Sequence, residues 1–384
     1  MMRLNLLAAA TFLTGAVFAA PGLVPFSTFS NVTIFVPPTN YTDPQVLYAR
    51  TVELENGVLL ATWENYSPEP PLVYFPIFKS SDGGETWHEI SKVTDQVNNW
   101  GLRYQPFLYE LPTQVGHYPA GTVLLAGNSI PTDLNYTQID VYASLDKGYT
   151  WHFVSKVASG GAAIPDNGIP AIWEPFLMYY EGKIICYYSD QRDPLYGQKL
   201  VHQVSGDLLH WDPPVNDVAY PVYTDRPGMT TVTHLPNGKY MMTYECGGCP
   251  TVSGTAYEFP VYYRINSNPL NFNASTGYPL VTDTGIQPTS SPYITWSPIG
   301  GPNGTIVVSC GTLNQIFVNQ ELGAVGGWKS VATPEGVSYT RSLRVFKSLP
   351  DHLLIAGAGH LPPATTNRVT VSVIDLAKSL AGAV

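Results

Sequence analysis

Ser80-Ser-Asp82-Gly-Gly84-Glu-Thr86-Trp87 is followed 64 residues later by Ser144-Leu-Asp146-Lys-Gly148-Tyr-Thr150-Trp151, and a shortened copy stands at Ser205-Gly-Asp207 with Trp211. Each copy has the chemistry of one tight turn. Ser and Asp oxygens can accept from backbone amides, Gly takes a position with φ above zero, and the Trp ring packs between sheets. The phrases have the form of Asp-box hairpins, which join the outer two strands of a propeller blade. Asp82 and Asp146 are therefore read as structural, not catalytic.

A second phrase, a Gly-containing turn followed by an apolar strand of about six residues, surrounds them. It recurs as Asn56-Gly57-Val-Leu-Leu-Ala, Ala120-Gly121-Thr-Val-Leu-Leu, Glu181-Gly182-Lys-Ile-Ile-Cys, Asn237-Gly238-Lys-Tyr-Met-Met and Asn303-Gly304-Thr-Ile-Val-Val. A weaker sixth copy is Pro350-Asp351-His-Leu-Leu-Ile. The glycines lie 64, 61, 56 and 66 residues apart, too long for a solenoid repeat and suited to a four-stranded blade with long loops. The expected fold is all-β, a six-bladed β-propeller with Asp-box hairpins, spanning residues 20–384 as a single domain. Whether the stretch Phe29 to Phe35 closes the ring by pairing with the last blade is left open, although an unclosed edge would expose unpaired backbone.

Composition agrees. A chain of 384 residues that is 44% hydrophobic and 12% charged can bury a sizeable core, and its 34 Gly and 34 Pro lie scattered between apolar runs, as many tight turns require. Residues 1–19 carry Arg3, an apolar stretch from Leu4 to Phe18 and small residues Val17 and Ala19, and read as a signal peptide. No later run of about 18 apolar residues offers a membrane span. A secreted, extracellular protein is expected, with glycans on some of six sequons at Asn31, Asn40, Asn65, Asn135, Asn273 and Asn303. The formal charge of −10 disfavours nucleic acid and anionic membranes as partners. Of four cysteines, Cys246 and Cys249 can close a small loop as a disulfide, a zinc half-site being disfavoured because no second half follows; Cys186 and Cys310 read as buried thiols. No metal or other cofactor is expected, and the chain is expected to be a monomer.

Each turn phrase should join a blade's innermost strand to its second, so the residues before it line the axis, where propellers place their sites. The preceding segments are Tyr48-Ala-Arg50-Thr, Tyr104-Gln105-Pro-Phe, Trp173-Glu174-Pro-Phe, Ser290-Ser291-Pro-Tyr and Tyr339-Thr-Arg341-Ser, with blade four near Arg226-Pro-Gly228-Met. Aligned, they give an axial ring of Arg50, Gln105, Glu174, Ser291 and Arg341. A second ring, seven residues after the turn glycine, holds Glu64, Asn128, Ser189 and Glu245, with Asp190 adjacent. Glu174 and Glu245 come from neighbouring blades and suit the two carboxyl roles of glycoside hydrolysis. Arg50, Arg341 and Tyr339 are candidates for keeping one of them ionised. Trp63, Trp100, Trp173 and Tyr339 are candidates for stacking on sugar, and the loop carrying Asp190 and Arg192 for binding hydroxyls or, equally, for a solvated salt bridge.

At Trp173-Glu174-Pro175-Phe176 and Thr243-Tyr244-Glu245-Cys246-Gly247-Gly248 the chain resembles the fungal exo-α-1,5-arabinanases of glycoside hydrolase family 93, over essentially the whole mature sequence. The resemblance implies retention of configuration, Glu174 as nucleophile, Glu245 as general acid/base, and arabinobiose released from the non-reducing end of arabinan. A wider likeness is to sialidases, through Arg50 and the Asp boxes, but a sialic acid carboxylate wants three arginines and only Arg50 and Arg341 align. A non-catalytic sugar-binding propeller is the third reading; it has no need of paired axial carboxylates. Exo action requires a block at one end of the groove, for which the insert Thr113 to Pro119 is a candidate.

Overall fold

The computed structural model describes residues 27–254 and 257–382, so the expected signal peptide lies outside the described residues. The described chain forms six four-stranded antiparallel sheets, each built mostly of consecutive strands. Reading outward from the axis, blade three runs Ile172–Tyr180, Lys183–Asp190, Lys199–Ser205 and Val215–Val218. Its second strand is buried over seven of eight positions and its third throughout. Sheets sandwiched between two neighbours lose the alternation of a half-exposed strand and read as continuous apolar runs. Outer strands such as His88–Val93 keep mostly exposed or half-buried positions.

The ring is closed by the chain ends. Phe29–Phe35 pairs antiparallel with Val369–Asp375 and forms the outermost strand of blade six. Phe35 then packs on Trp63 of blade one at a centroid separation of 5.3 Å, so the closing strand also serves the next interface.

The Asp boxes sit between third and fourth strands, as read. In the second, Asp146 accepts from the amides of Tyr149 and Thr150 (3.1 and 2.8 Å) and from the hydroxyls of Ser144 and Thr150 (2.8 and 2.7 Å). The Trp151 indole N–H reaches the Gly148 carbonyl (3.1 Å) and Ser91 of the preceding blade (3.2 Å). In the shortened copy His210 replaces the threonine, and its ring meets Asp207 at 2.8 Å.

All five turn glycines between first and second strands have positive φ, from 62° to 82°. They lie on one face of the ring; the starts of the inner strands and the ends of the second strands lie on the other. The insert Thr113 to Pro119 connects Leu102–Glu110 to Val123–Ser129 and so belongs to the turn face. Gly116 packs there so closely that a Cβ would stand 2.8 Å from the Asp207 backbone. That insert cannot block a groove on the opposite face, and the expectation is corrected.

Cys246 and Cys249 are disulfide-bonded, and Cys186 and Cys310 are buried thiols. Asn65 is buried, 3% exposed, which removes it as a glycan acceptor in the folded chain; Asn31, Asn40, Asn135 and Asn273 are exposed. No helix among the described residues is long and apolar enough to cross a membrane.

Asp146→Ala deletes four hydrogen bonds at the rim. We expect it to lower unfolding stability by about 1–2 kcal/mol, in the range of a lost cap, with catalytic constants unchanged. Loss of activity without a fall in melting temperature would contradict the structural assignment.

Candidate active site

On the face opposite the turns, each inner strand from blade one to blade five opens with a non-glycine residue in the left-handed region: Tyr48 (φ 58°), Gln105 (57°), Glu174 (64°), Met229 (58°) and Ser291 (40°). Their register is equivalent. Leu47 pairs with Glu64, Tyr104 with Asn128, Trp173 with Ser189 and Gly228 with Glu245, and in each case the ladder skips before pairing resumes two residues beyond the left-handed one. In blade five the Gly311 amide bonds to the Ser290 carbonyl at the matching place.

A left-handed residue costs of order 1–3 kcal/mol outside glycine, and here it re-aims the backbone amide. Gln105 N–H donates to Glu64 Oε1 (3.0 Å), Glu174 N–H to Gln105 Oε1 (3.1 Å), Met229 N–H to Glu174 Oε2 (2.7 Å) and Ser291 N–H to Glu245 Oε2 (2.6 Å). Each amide thus reaches a side chain of the preceding blade. Tyr48 N–H donates to the Tyr339 carbonyl of blade six at 3.1 Å.

These groups surround an axial cavity of about 470 Å³. Glu64, Glu174 and Glu245 line it, with Gln105, Gln198, Arg226 and Ser290 as further polar walls and Tyr66, Tyr104, Trp173, Phe259, Tyr339 and Leu361 as apolar ones. Gly228 lies between the two glutamates of blades three and four. A Cβ there would stand 3.5 Å from Glu174 Oε2 and 3.7 Å from Glu245 Oε1, so those oxygens are at most 7.2 Å apart. A Cβ at 228 would also stand 2.8 Å from the Gln198 side-chain nitrogen, so a side chain there would displace Gln198.

The two carboxyls are not equivalent. Burial pushes Glu174 above its ordinary value, but the Ser189 hydroxyl (2.6 Å), the Met229 amide and the charges of Arg226 and Arg50 favour its anion. Burial and then the Glu174 charge push Glu245 up to about 8, against the Ser291 amide, the Ser290 hydroxyl and Arg226. The pair is thereby biased toward one anion and one acid, the division of labour that acid-assisted displacement needs. Burial also pushes Glu64 up to about 7, against its bonds from Tyr66 and Gln105.

No family model and no curated protein matches the chain. Solved structures do. The GH93 α-L-arabinofuranosidase of Fusarium graminearum in complex with arabinobiose is 58% identical, with a TM-score of 0.91 over 92% of this chain and 99% of that one. An α-L-arabinanase of Penicillium chrysogenum with arabinobiose is 56% identical, with a TM-score of 0.89 over the same shares. This chain belongs to glycoside hydrolase family 93. The NanB sialidase of Streptococcus pneumoniae, at 10% identity, 93% of this chain, 71% of that one and a TM-score of 0.58, shares the propeller fold.

In this family 93 chain Glu174, Glu245, Gln105, Trp173 and Tyr339 line the cavity as the sequence suggested. Other expected sugar contacts stand elsewhere. Arg50 is two residues past the left-handed Tyr48, in the register of Phe107 and Phe176. It is 3% exposed, its guanidinium 4.0 Å from the Tyr48 ring centroid and bonded to Thr340, a buried cation beneath the carboxylates and not on their wall. Arg341 is fully buried, donating to the carbonyls of Leu313, Asn314 and Gln315 (2.9 to 3.0 Å) and to Thr333. Asn128 is fully buried and supports Gln105 at 2.8 Å, and Ser291 contributes its amide to Glu245. Asp190 holds Arg192 through two contacts of 2.8 Å while Arg192 reaches Tyr188, so this loop takes the salt-bridge reading. Trp63 is fully buried between Phe35 and Phe78, and Trp100 stacks on Tyr136 away from the cavity lining.

Arg226 and Gly228 are the polar and conformational elements of the site that the sequence did not single out, while Glu64 was placed in the second ring without a role. Arg226 donates to Gln198 (2.9 Å) and Asn167 and is the one arginine among the described residues lining the cavity. The three-arginine cluster that a sialic acid carboxylate wants is not assembled. Among the described residues no three His, Cys, Asp or Glu side chains cluster as a metal site.

The shift of Glu245 has a signed consequence for stability. Its carboxyl binds a proton near 4.5 when unfolded and near 8 when folded. Between those values the folded chain holds more protons than the unfolded one, so unfolding free energy falls as pH rises through that window. Glu245→Gln removes this contribution. We expect its melting temperature, relative to the parent, to gain a few degrees between pH 5 and pH 8; parallel curves would exclude the shift.

Proposed function

We propose that this family 93 hydrolase is a secreted, monomeric exo-α-1,5-L-arabinanase that releases arabinobiose from the non-reducing end of linear arabinan with retention of configuration. The observation that carries the reading is the pair Glu174 and Glu245 on adjacent blades, flanking the gap at Gly228, one biased to its anion and the other to its acid. Relatives crystallised with arabinobiose support the substrate class. A neutral polymer also suits a chain with a formal charge of −10, for which neither nucleic acid nor an anionic membrane is a favourable partner.

In the proposed reaction Glu174 attacks the anomeric carbon while Glu245 protonates the departing oxygen, so negative charge leaves Glu174 as the glycosyl bond forms. Glu245, now a carboxylate, takes a proton from water that attacks the same carbon and expels Glu174. The Ser189 hydroxyl and Met229 amide hold one oxygen of Glu174, leaving Oε1 for attack. Arg226 and Arg50 keep the nucleophile ionised next to an acid that must stay protonated. Loss of the Glu245 proton is expected to set the alkaline limb of the rate profile. The signal-peptide reading of residues 1–19 and the exposed sequons support export and glycosylation.

Purified protein with debranched arabinan should accumulate arabinobiose from the first time points, without a ladder of longer products. Glu174→Gln and Glu245→Gln should each lose several orders of magnitude in kcat while remaining folded. With an activated glycoside, azide should rescue Glu174→Gly and Glu245→Gly to glycosyl azides of opposite anomeric configuration. The same anomer from both would reject the division of roles, and near-normal turnover in either Gln variant would reject the site.

A further inference from the structure

Glu64 is a third carboxyl in the cavity, and the two-carboxyl mechanism leaves it without a task. It is 3% exposed yet lines the cavity wall. It ends the second strand of blade one at the register that Glu245 occupies in blade four, paired with the residue before the left-handed bend in each case. Blades one and four of a six-membered ring face each other across the axis, so Glu64 stands opposite Glu245, with Gln105 between it and Glu174 of blade three. Its Oε1 accepts from the Gln105 amide at 3.0 Å and its Oε2 from the Tyr66 hydroxyl at 2.8 Å. Each carboxylate oxygen has two acceptor sites, so capacity remains on both.

The chemistry of the proposed substrate gives this acceptor something to read. Along a 1,5-linked chain every internal sugar has its O5 in a glycosidic bond and carries no proton there; only the non-reducing terminus keeps an O5 hydroxyl. In its ionised form, which the Gln105 amide and the Tyr66 hydroxyl favour against burial, the Glu64 carboxyl favours a hydroxyl donor and disfavours an ether oxygen, which would leave lone pairs facing lone pairs without water. Sites built to bond a hydroxyl reject analogues lacking it by roughly 10⁴-fold or more.

We propose that Glu64 is the specificity-determining residue for the chain end, accepting the free terminal hydroxyl of the arabinan and so restricting cleavage to the non-reducing terminus. The inference rests on the arabinanase reading. It locates the exo restriction in a polar contact across the cavity, in place of the insert Thr113 to Pro119, which lies on the other face.

The test compares an aryl arabinobioside with the same compound O-methylated at its terminal O5. The parent enzyme should prefer the free compound strongly in kcat/KM. In Glu64→Ala the free compound should lose about 100-fold or more, while the capped one changes little, so the preference collapses. In Glu64→Gln, which keeps an acceptor oxygen and the cavity volume, part of the preference should survive. A purely structural role, in which Glu64 only positions Gln105 and Tyr66, would depress both substrates equally and overturn the proposal; so would an unchanged preference in either variant. If Glu64→Ala does not fold, Glu64→Gln alone decides, because retention of the full parental preference there overturns the assignment. Failure of the parent to cleave either compound would count against the arabinanase reading itself, a different result from cleavage without discrimination.

Discussion

The site depends on backbone amides that point sideways, out of their own blades. In an ordinary strand the amide at the start of the inner edge would lie in its sheet; a left-handed residue at the same register in five blades swings it toward the preceding blade instead. Four of those amides then end on side-chain oxygens of Glu64, Gln105, Glu174 and Glu245. The contact therefore does two things at once. It stitches neighbouring blades together at the axis, where they are narrowest, and it fixes carboxyl groups that would otherwise have several rotamers to choose from. An amide donor also favours the anion it bonds, which offsets part of the cost of burying three carboxyls around one cavity.

The differences among the carboxyls follow from the same frame. Glu174 receives a hydroxyl and an amide on one oxygen and feels Arg226 above and Arg50 below. Glu245 has the Glu174 charge as its largest opposing neighbour. Serine hydroxyls at 189 and 290 assist the two anions, and the remaining influences come from position in a ring that runs from blade to blade. This explains why Arg50, which touches no cavity surface, still matters: a cation one layer beneath the floor acts on charge without occupying space that a sugar needs.

Much of the fold was legible because propellers repeat. The turn glycines and Asp boxes recur at blade spacing, and the second strands carry no bulge, so counting seven residues from each glycine placed Glu64, Asn128, Ser189 and Glu245 in one true register. The inner strands do carry a bulge, and there the alignment failed where two segments look alike. Tyr48-Ala-Arg50 and Tyr339-Thr-Arg341 were matched through their arginines, although Tyr48 is the residue equivalent to Glu174. Arg341 was unreadable for another reason: its partners are three main-chain carbonyls of residues 313–315, and carbonyls leave no mark in a sequence. Gly228 escaped notice because a missing side chain is informative only when the neighbours it makes room for are known.

The closing strand carries a consequence for biosynthesis. Phe29 pairs with Val373, so this segment must wait for a ladder partner made more than three hundred residues later. Blades one to five can each assemble from contiguous chain as they emerge, but blade six cannot be complete until Val369–Asp375 has been made. Until then the strand Phe29–Phe35, with two aromatic rings, has no sheet to join and must be kept from pairing with the wrong edge. Closure joins points more than three hundred residues apart, yet by that stage the intervening blades have already brought the ends together, and the entropy of that loop has been lost in small steps. The outer edge of blade six is thus a latch set last, and shortening the chain by a few residues at either of the paired strands would remove pairing from that edge.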